Sequence, residues 1–273
     1  MKQNITKVLL GSLLLLICVG MGGCKKAKAV ANFLKEEAIK PQFESEHFKM
    51  EGSSAYQSAE ATLTLDMDYP KGDSKAAIEL RRWIYKSLFD EQSAEDVKDP
   101  QVLWNKLLAK YKEQNSPEMI KRELEEGIGE GWFYNIRIKK EWVGTNVVSY
   151  TYSADAFNVG NATSSAWIRD MSVCIADGRT LGWEMFKSKN DVKRVIDELL
   201  TVKYGSDADM YDQGIPMPDA PLFLGNGIRF DYGDYSVGMP HYYEEMGEYP
   251  CCVISYDAYK NLLTEEACKL LEL

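Results

Sequence analysis

The chain has 273 residues, with 42 acidic against 32 basic side chains, a net charge of −10, and 45% of its residues apolar or aromatic. So acidic a surface repels phosphate backbones and no basic stripe interrupts it, which excludes nucleic-acid partners. The apolar share is ample for a packed core and excludes general disorder.

The first residues, MKQNITKVLLGSLLLLICVGMGGC, have the three parts of a secretory signal. Lys2 and Lys7 supply a positive start, residues 8–19 run apolar, and small residues lead into Cys24. The run is shorter than the roughly 20 residues a spanning helix needs, so cleavage is expected. Gly22-Gly23-Cys24 resembles a bacterial lipobox, with Met21 where leucine is usual. That resemblance implies a signal peptide over 1–23 and a diacylglycerol on the Cys24 sulfur. Residues 24–44 then form a lipidated N-terminus and tether. Lys25 and Lys26, where an aspartate would retain a lipoprotein at the inner membrane, point to the outer membrane facing the periplasm. The membrane partner is therefore reached through an N-terminal lipid, and disulfides are permitted in that compartment.

A first strand is expected in ATLTLDMDYP, where Leu63, Leu65 and Met67 alternate. Asp73 or Ser74 caps a helix whose Ala77, Leu80, Ile84 and Leu88 share one face. Asp99-Pro100 starts a second helix, striped by Trp104, Leu107, Leu108 and Tyr111, and Ser116-Pro117 a short third one ending near Gly127. WFYNIRIKKEW, NVVSYTYSADAF and SSAWIRDMSVCIA are β-branched and aromatic runs that read as neighbouring antiparallel strands. Ala176–Arg179 turns, and Asn190 caps a helix bearing Val192, Val195, Ile196 and Leu199. A loop over 204–221 leads to strand GIRFDY, a second loop, strand CCVISY and a closing helix over about 257–271. Helices and strands are grouped rather than alternating, so the class is α+β: an antiparallel sheet packed by helices. Two sub-domains are expected, 45–163 and 164–273.

In the C-terminal part DGRTLGWEMF, a helix, GNGIRFDYGDYSVGMP and CCVISYDAYKNLL follow in an order that resembles the extracellular domain of RsiV-type anti-sigma factors, a domain of unknown function in many bacterial lipoproteins. Gly178, Arg179, Leu181 and Phe186 match a first block of that pattern. Leu222 to Leu224, Gly227, Ile228, Phe230, Tyr232 and Tyr235 match a second, and Ile254, Tyr256, Tyr259 and Leu262 or Leu263 a third. Where members carry a glycine- and histidine-containing turn, this chain has FNVGNATSS and no histidine. The resemblance implies a noncatalytic envelope module, some of whose relatives bind a protein such as lysozyme while others sit beside peptidoglycan-modifying domains.

Residues 238–252, GMPHYYEEMGEYPCC, raise the question of a reaction centre. Zinc draws on three or four close ligands. Here His241 with Glu244 or Glu245 is the one local pair, His47 lies far away, and no H-x-x-H or C-x-x-C spacing occurs. No metal and no cofactor are expected. A G-x-S-x-G elbow is absent, so no catalytic residue is assigned. Adjacent Cys251 and Cys252 on a strand point to opposite faces, one into the core. The other pairs with Cys174 or Cys268 or stays a thiol. Tyr232 and Tyr256 pack, whereas His241, Tyr242, Tyr243 and Tyr249 form a candidate binding surface, because tyrosine is apolar along its body and polar at its tip. The expected function is a lipid-anchored binding or sensing module for a cationic, lysozyme-like protein or for peptidoglycan. The alternative is an enzyme acting on cell-wall glycan or peptide through acidic residues, among which the sequence offers no choice.

Overall fold

The computed structural model describes residues 43–89, 94–127, 131–157, 165–204, 215–233 and 250–273. Strand β1 (Ser45–Tyr56) turns through Gln57, at φ 55°, and pairs antiparallel with the whole of β2 (Ala59–Pro70). β1 is not legible as a strand, because its apolar Phe48, Met50 and Tyr56 are only partly buried against the core while Lys49 and Glu51 face solvent. It is an edge strand, and charge on an edge discourages further pairing.

After β2 the chain leaves the sheet for three helices. Ser74 caps α1 (Lys75–Phe89), its hydroxyl accepting from the Ala77 N–H at 3.2 Å. Asp99 caps α2 (Pro100–Gln114) and Ser116 caps α3 (Pro117–Glu125), each followed by proline. Each such cap contributes about 1 kcal/mol. Leu80, Ile84, Leu103 and Leu107 bury against Leu63, Leu65 and Met67 of β2. Because these helices carry the chain back to its starting end, β3 (Phe133–Val143) runs parallel to β2. β4 (Val147–Phe157), β5 (Ser165–Cys174) and the short β6 (Thr180–Leu181) follow antiparallel, giving the order β1-β2-β3-β4-β5-β6. The turn after β5 contains Gly178 at φ +75°, where a Cβ would stand 2.7 Å from the Lys75 carbonyl oxygen. Only glycine meets both demands.

A second sheet comprises β7 (Leu222–Phe223), β8 (Gly227–Asp231) and β9 (Cys251–Ser255). Helix α4 (Lys189–Tyr204) covers it, burying Val192, Ile196 and Leu200 in a cluster with Phe230 and Ile254. A Cβ on Gly227 would lie 2.5 Å from the Ile254 carbonyl oxygen, so the close approach of β8 to β9 needs a glycine there. The cap of α4 is Ser188 rather than Asn190: its hydroxyl accepts from the Asp191 N–H at 3.3 Å. The expected closing helix is interrupted, with α5 (Tyr256–Tyr259) and α6 (Glu265–Leu270) separated by a 3-10 turn at Lys260–Leu262. Thr264 starts α6 afresh, its side chain accepting from the Ala267 N–H.

The α+β class holds: helices cover one face of the six-stranded sheet, and the second sheet covers the other face at β4 and β5. The 163/164 division falls between β4 and β5, which are neighbours in one sheet. The apolar core instead changes partners across β4 and β5. Val148, Tyr150 and Val173 belong to the helix-side cluster, and Val147 and Cys174 to that of the second sheet.

Candidate functional site: a carboxyl pair between the sheets

Cys24, His241, Tyr242, Tyr243 and Tyr249 lie outside the described residues. Of the residues around that loop, Tyr232 and Tyr256 pack in the core as expected. Cys252 points inward, and burial pushes its thiol up to about 12. Cys174, Cys252 and Cys268 are thiols, so none of them forms the disulfide left open by the sequence. His47 sits on exposed β1, 3.2 Å from Asp68 and 3.6 Å from Asp66. Among the described residues no group of three or more His, Cys, Asp or Glu is arranged to hold a metal.

The concentrated chemistry lies where the sheets meet. Antiparallel register sets Ser149 beside Ser172 and Thr151 beside Asp170 on the face of β4 and β5 that turns toward β7 and β8. The two serines share a hydrogen bond of 2.8 Å and hold the β7 backbone: Ser149 donates to the Phe223 carbonyl, and the Phe223 N–H donates to Ser172 at 3.0 Å. One row along, Thr151 donates to Asp170 at 3.0 Å, and Arg229 of β8 donates to the Thr151 hydroxyl at 3.0 Å. Arg229 also pairs with Asp231 at 2.7 Å and lies 3.6 Å from Glu141 of β3.

Asp170 and Asp231 are in hydrogen-bonding contact with each other. Burial, and then the charge of Asp231, push the Asp170 carboxyl well above the ordinary carboxylate range. Burial also raises Asp231, while Arg229 pulls it back. The assignment follows from these opposed influences. Asp231 is the carboxylate paired with Arg229, and Asp170 holds the proton and donates to Asp231. Glu141, Asp170 and Asp231 face a single guanidinium, so without that proton the cluster would carry two uncompensated charges in a poorly solvated seam.

The pair is not sealed. A cleft of about 290 Å³ opens beside it, lined by Ile168, Arg169 and Asp170 on one side and by Pro216, Asp219 and Tyr232 among others on the opposite side. Asp170 keeps part of its surface open to this cleft, whereas the Asp231 side chain is 3% exposed. Sequence reading missed both residues. The one available signal was in GIRFDY, where Ile228, Phe230 and Tyr232 form an apolar face and leave Arg229 and Asp231 together on the other face of a central strand. Nothing local marks Asp170 as their partner.

No family model and no curated protein matches the chain's sequence. Among solved structures it is similar to a member of the DUF3298 family from Bacteroides fragilis. That likeness has a TM-score of 0.67 and 15% identity, over 85% of this chain and 97% of the other. It is also similar to a DUF3298 family protein from Pseudomonas aeruginosa, with a TM-score of 0.55 and 12% identity, over 84% of this chain and 97% of that one. At these identities the likeness is one of fold.

Proposed function

We propose that this protein is a lipid-anchored cell-envelope binding module of the RsiV-like kind, and that its cleft at Asp170 receives a basic side chain of a cationic partner protein. The observation that carries this reading is the Asp170–Asp231 pair, held between two sheets and lining the cleft. A carboxyl kept protonated by burial and by its neighbour's charge has a ready substitute for that proton: a lysine or arginine head entering the cleft. The overall charge of −10 acts in the same direction, speeding the encounter with a cationic protein at low salt. Likeness of fold to DUF3298 proteins is compatible with this function and assigns none. Among the described residues no helix is long and apolar enough to cross a membrane, and the anchor in this reading is the Cys24 lipid.

The test is to immobilise the purified protein and probe it with lysozyme at low and high salt. Binding that weakens with salt and is reduced in Asp170→Asn supports the reading, and no binding at either salt sinks it. The anchor is tested separately, by metabolic lipid labelling of Cys24→Ala, which should leave the protein unlabelled.

A second reading, acid–base chemistry on cell-wall material, is favoured by a proton-retaining carboxyl, Asp170, in the lining of the cleft. Glycoside hydrolysis requires carboxyls about 5 Å or more apart, whereas these are in direct hydrogen-bonding contact and one is committed to Arg229. Release of soluble fragments from peptidoglycan by the wild type, lost in Asp170→Asn, would overturn the binding reading in favour of the enzyme.

A further inference from the structure

On the opposite, helix-covered face of the six-stranded sheet lies a second cavity, of about 300 Å³. It owes its existence to two small residues. Ala154 and Ala156 of β4 stand between Tyr134 of β3 and Trp167 of β5, and they are too short to keep those rings apart. The rings meet above β4 with centroids 5.7 Å apart and planes inclined by 44°, and Tyr111 of α2 adds a third ring 6.5 Å from Tyr134. Both Tyr134 and Trp167 remain half-buried, with part of their surface open.

This platform is fixed from below. The fully buried Tyr152 hydroxyl lies 3.1 Å from that of Tyr134. The polar edge of the Tyr134 ring is therefore tied down, leaving its face for contact. Around the rings the cavity presents Lys110, Gln114 and Arg169, and among the described residues its lining includes no aspartate or glutamate. In a chain of net charge −10 that is a local reversal of sign.

We propose that this groove binds a carboxylate-bearing sugar ring, with one ring face on Trp167 and Tyr134 and the carboxylate toward Lys110. A pyranose has the matching division. Its axial C–H face carries slight positive charge and suits the negative face of an aromatic ring, while its edge of hydroxyls suits the Gln114 amide. The volume is at the lower end of small-molecule sites and fits one or two rings rather than a folded partner. An aliphatic peptide side chain would use the rings but leave the polar rim unsatisfied. The cationic groups of the rim, Lys110 and Arg169, select an acidic sugar over a neutral one. The groove lies on the helix side and the Asp170 cleft on the other; Arg169 borders both, whereas Lys110 borders the groove alone, so Lys110→Met tests this site separately from the partner-binding reading.

The experiment is calorimetric titration of the full protein with N-acetylmuramic acid and with N-acetylglucosamine, which lacks the carboxylate. The acidic sugar should bind, and the neutral one more weakly by about tenfold or more, the usual difference for one charge-assisted contact. Lys110→Met, at an exposed position, should bring the acidic sugar down to the affinity of the neutral one. Tyr152→Phe should weaken both sugars by releasing the Tyr134 ring, and Trp167→Ala should abolish binding of both. No heat from the acidic sugar with the wild type, equal affinity for the two sugars, or unchanged affinity in Lys110→Met would each overturn the proposal. Lysozyme binding should be unaffected by Lys110→Met, which separates failure of this site from failure of the cleft.

Discussion

Asp170→Asn is the perturbation that most directly examines the seam. Asparagine keeps both hydrogen bonds: its amide N–H replaces the carboxyl O–H toward Asp231, and its oxygen still accepts from Thr151. What disappears is the titration. The carboxyl of an unfolded aspartate releases its proton near 3.8, whereas in the folded protein Asp170 retains it far longer. The folded state therefore holds a proton that the unfolded chain has lost, and stability falls as pH rises. The contribution is fully present below the unfolded value. It fades at up to about 1.4 kcal/mol per pH unit until the folded carboxyl itself ionises. The groups that set this are Asp231 and Arg229 from β8 and Thr151 from β4, with Glu141 beyond the guanidinium. Urea unfolding of wild type and variant between about pH 5 and about pH 8 measures the difference directly. The variant should show the flatter pH dependence and be the more stable protein at the upper end. Parallel curves, or a variant less stable by more than about 1 kcal/mol at high pH, would mean that Asp170 is ionised in the folded state and that the proton assignment is wrong. A carboxyl that lowers stability near neutral pH, beside an open cleft, is what a binding site retained at a cost looks like.

Three further outcomes follow from the same contacts. Ser172→Ala leaves the buried Phe223 N–H without its acceptor and should destabilise the fold by about 1–3 kcal/mol, read by thermal unfolding. Gly178→Ala meets a left-handed φ and the Lys75 carbonyl together, and should cost about 1–3 kcal/mol, whereas alanine at Gly72, where nothing stands within 4 Å, meets only the φ penalty and should cost less. At pH 8 an alkylating reagent should modify the half-buried Cys268 before Cys252, whose thiol is buried and held protonated. Peptide mass spectrometry resolves the order, and faster labelling of Cys252 would contradict its inward placement.

Reading by periodicity and capping worked where the signal is carried by a few adjacent residues. Asp99-Pro100 and Ser116-Pro117 start helices because a side-chain acceptor and a proline act within one turn. Leu63, Leu65 and Met67 bury on one side of β2 because side chains alternate along any strand. The same reasoning missed β1, whose sequence is that of a polar edge, and misplaced the α4 cap by two residues, because Asn190 and Ser188 are both able to cap. Resemblance marked Gly178 and Gly227 as conspicuous. Only the approach of the Lys75 and Ile254 carbonyls explains why glycine is required there.

By itself, then, the sequence determined the α+β class, most element positions, the acidic character and the expectation of an envelope address. These depend on composition and on contacts within a turn or a strand. Tertiary structure alone decided that Asp170 meets Asp231 across two sheets, and that Tyr134 and Trp167 close over two alanines. Each of those meetings joins residues tens of positions apart, through strand register and sheet packing. A one-residue slip in that register would turn either group to the opposite face.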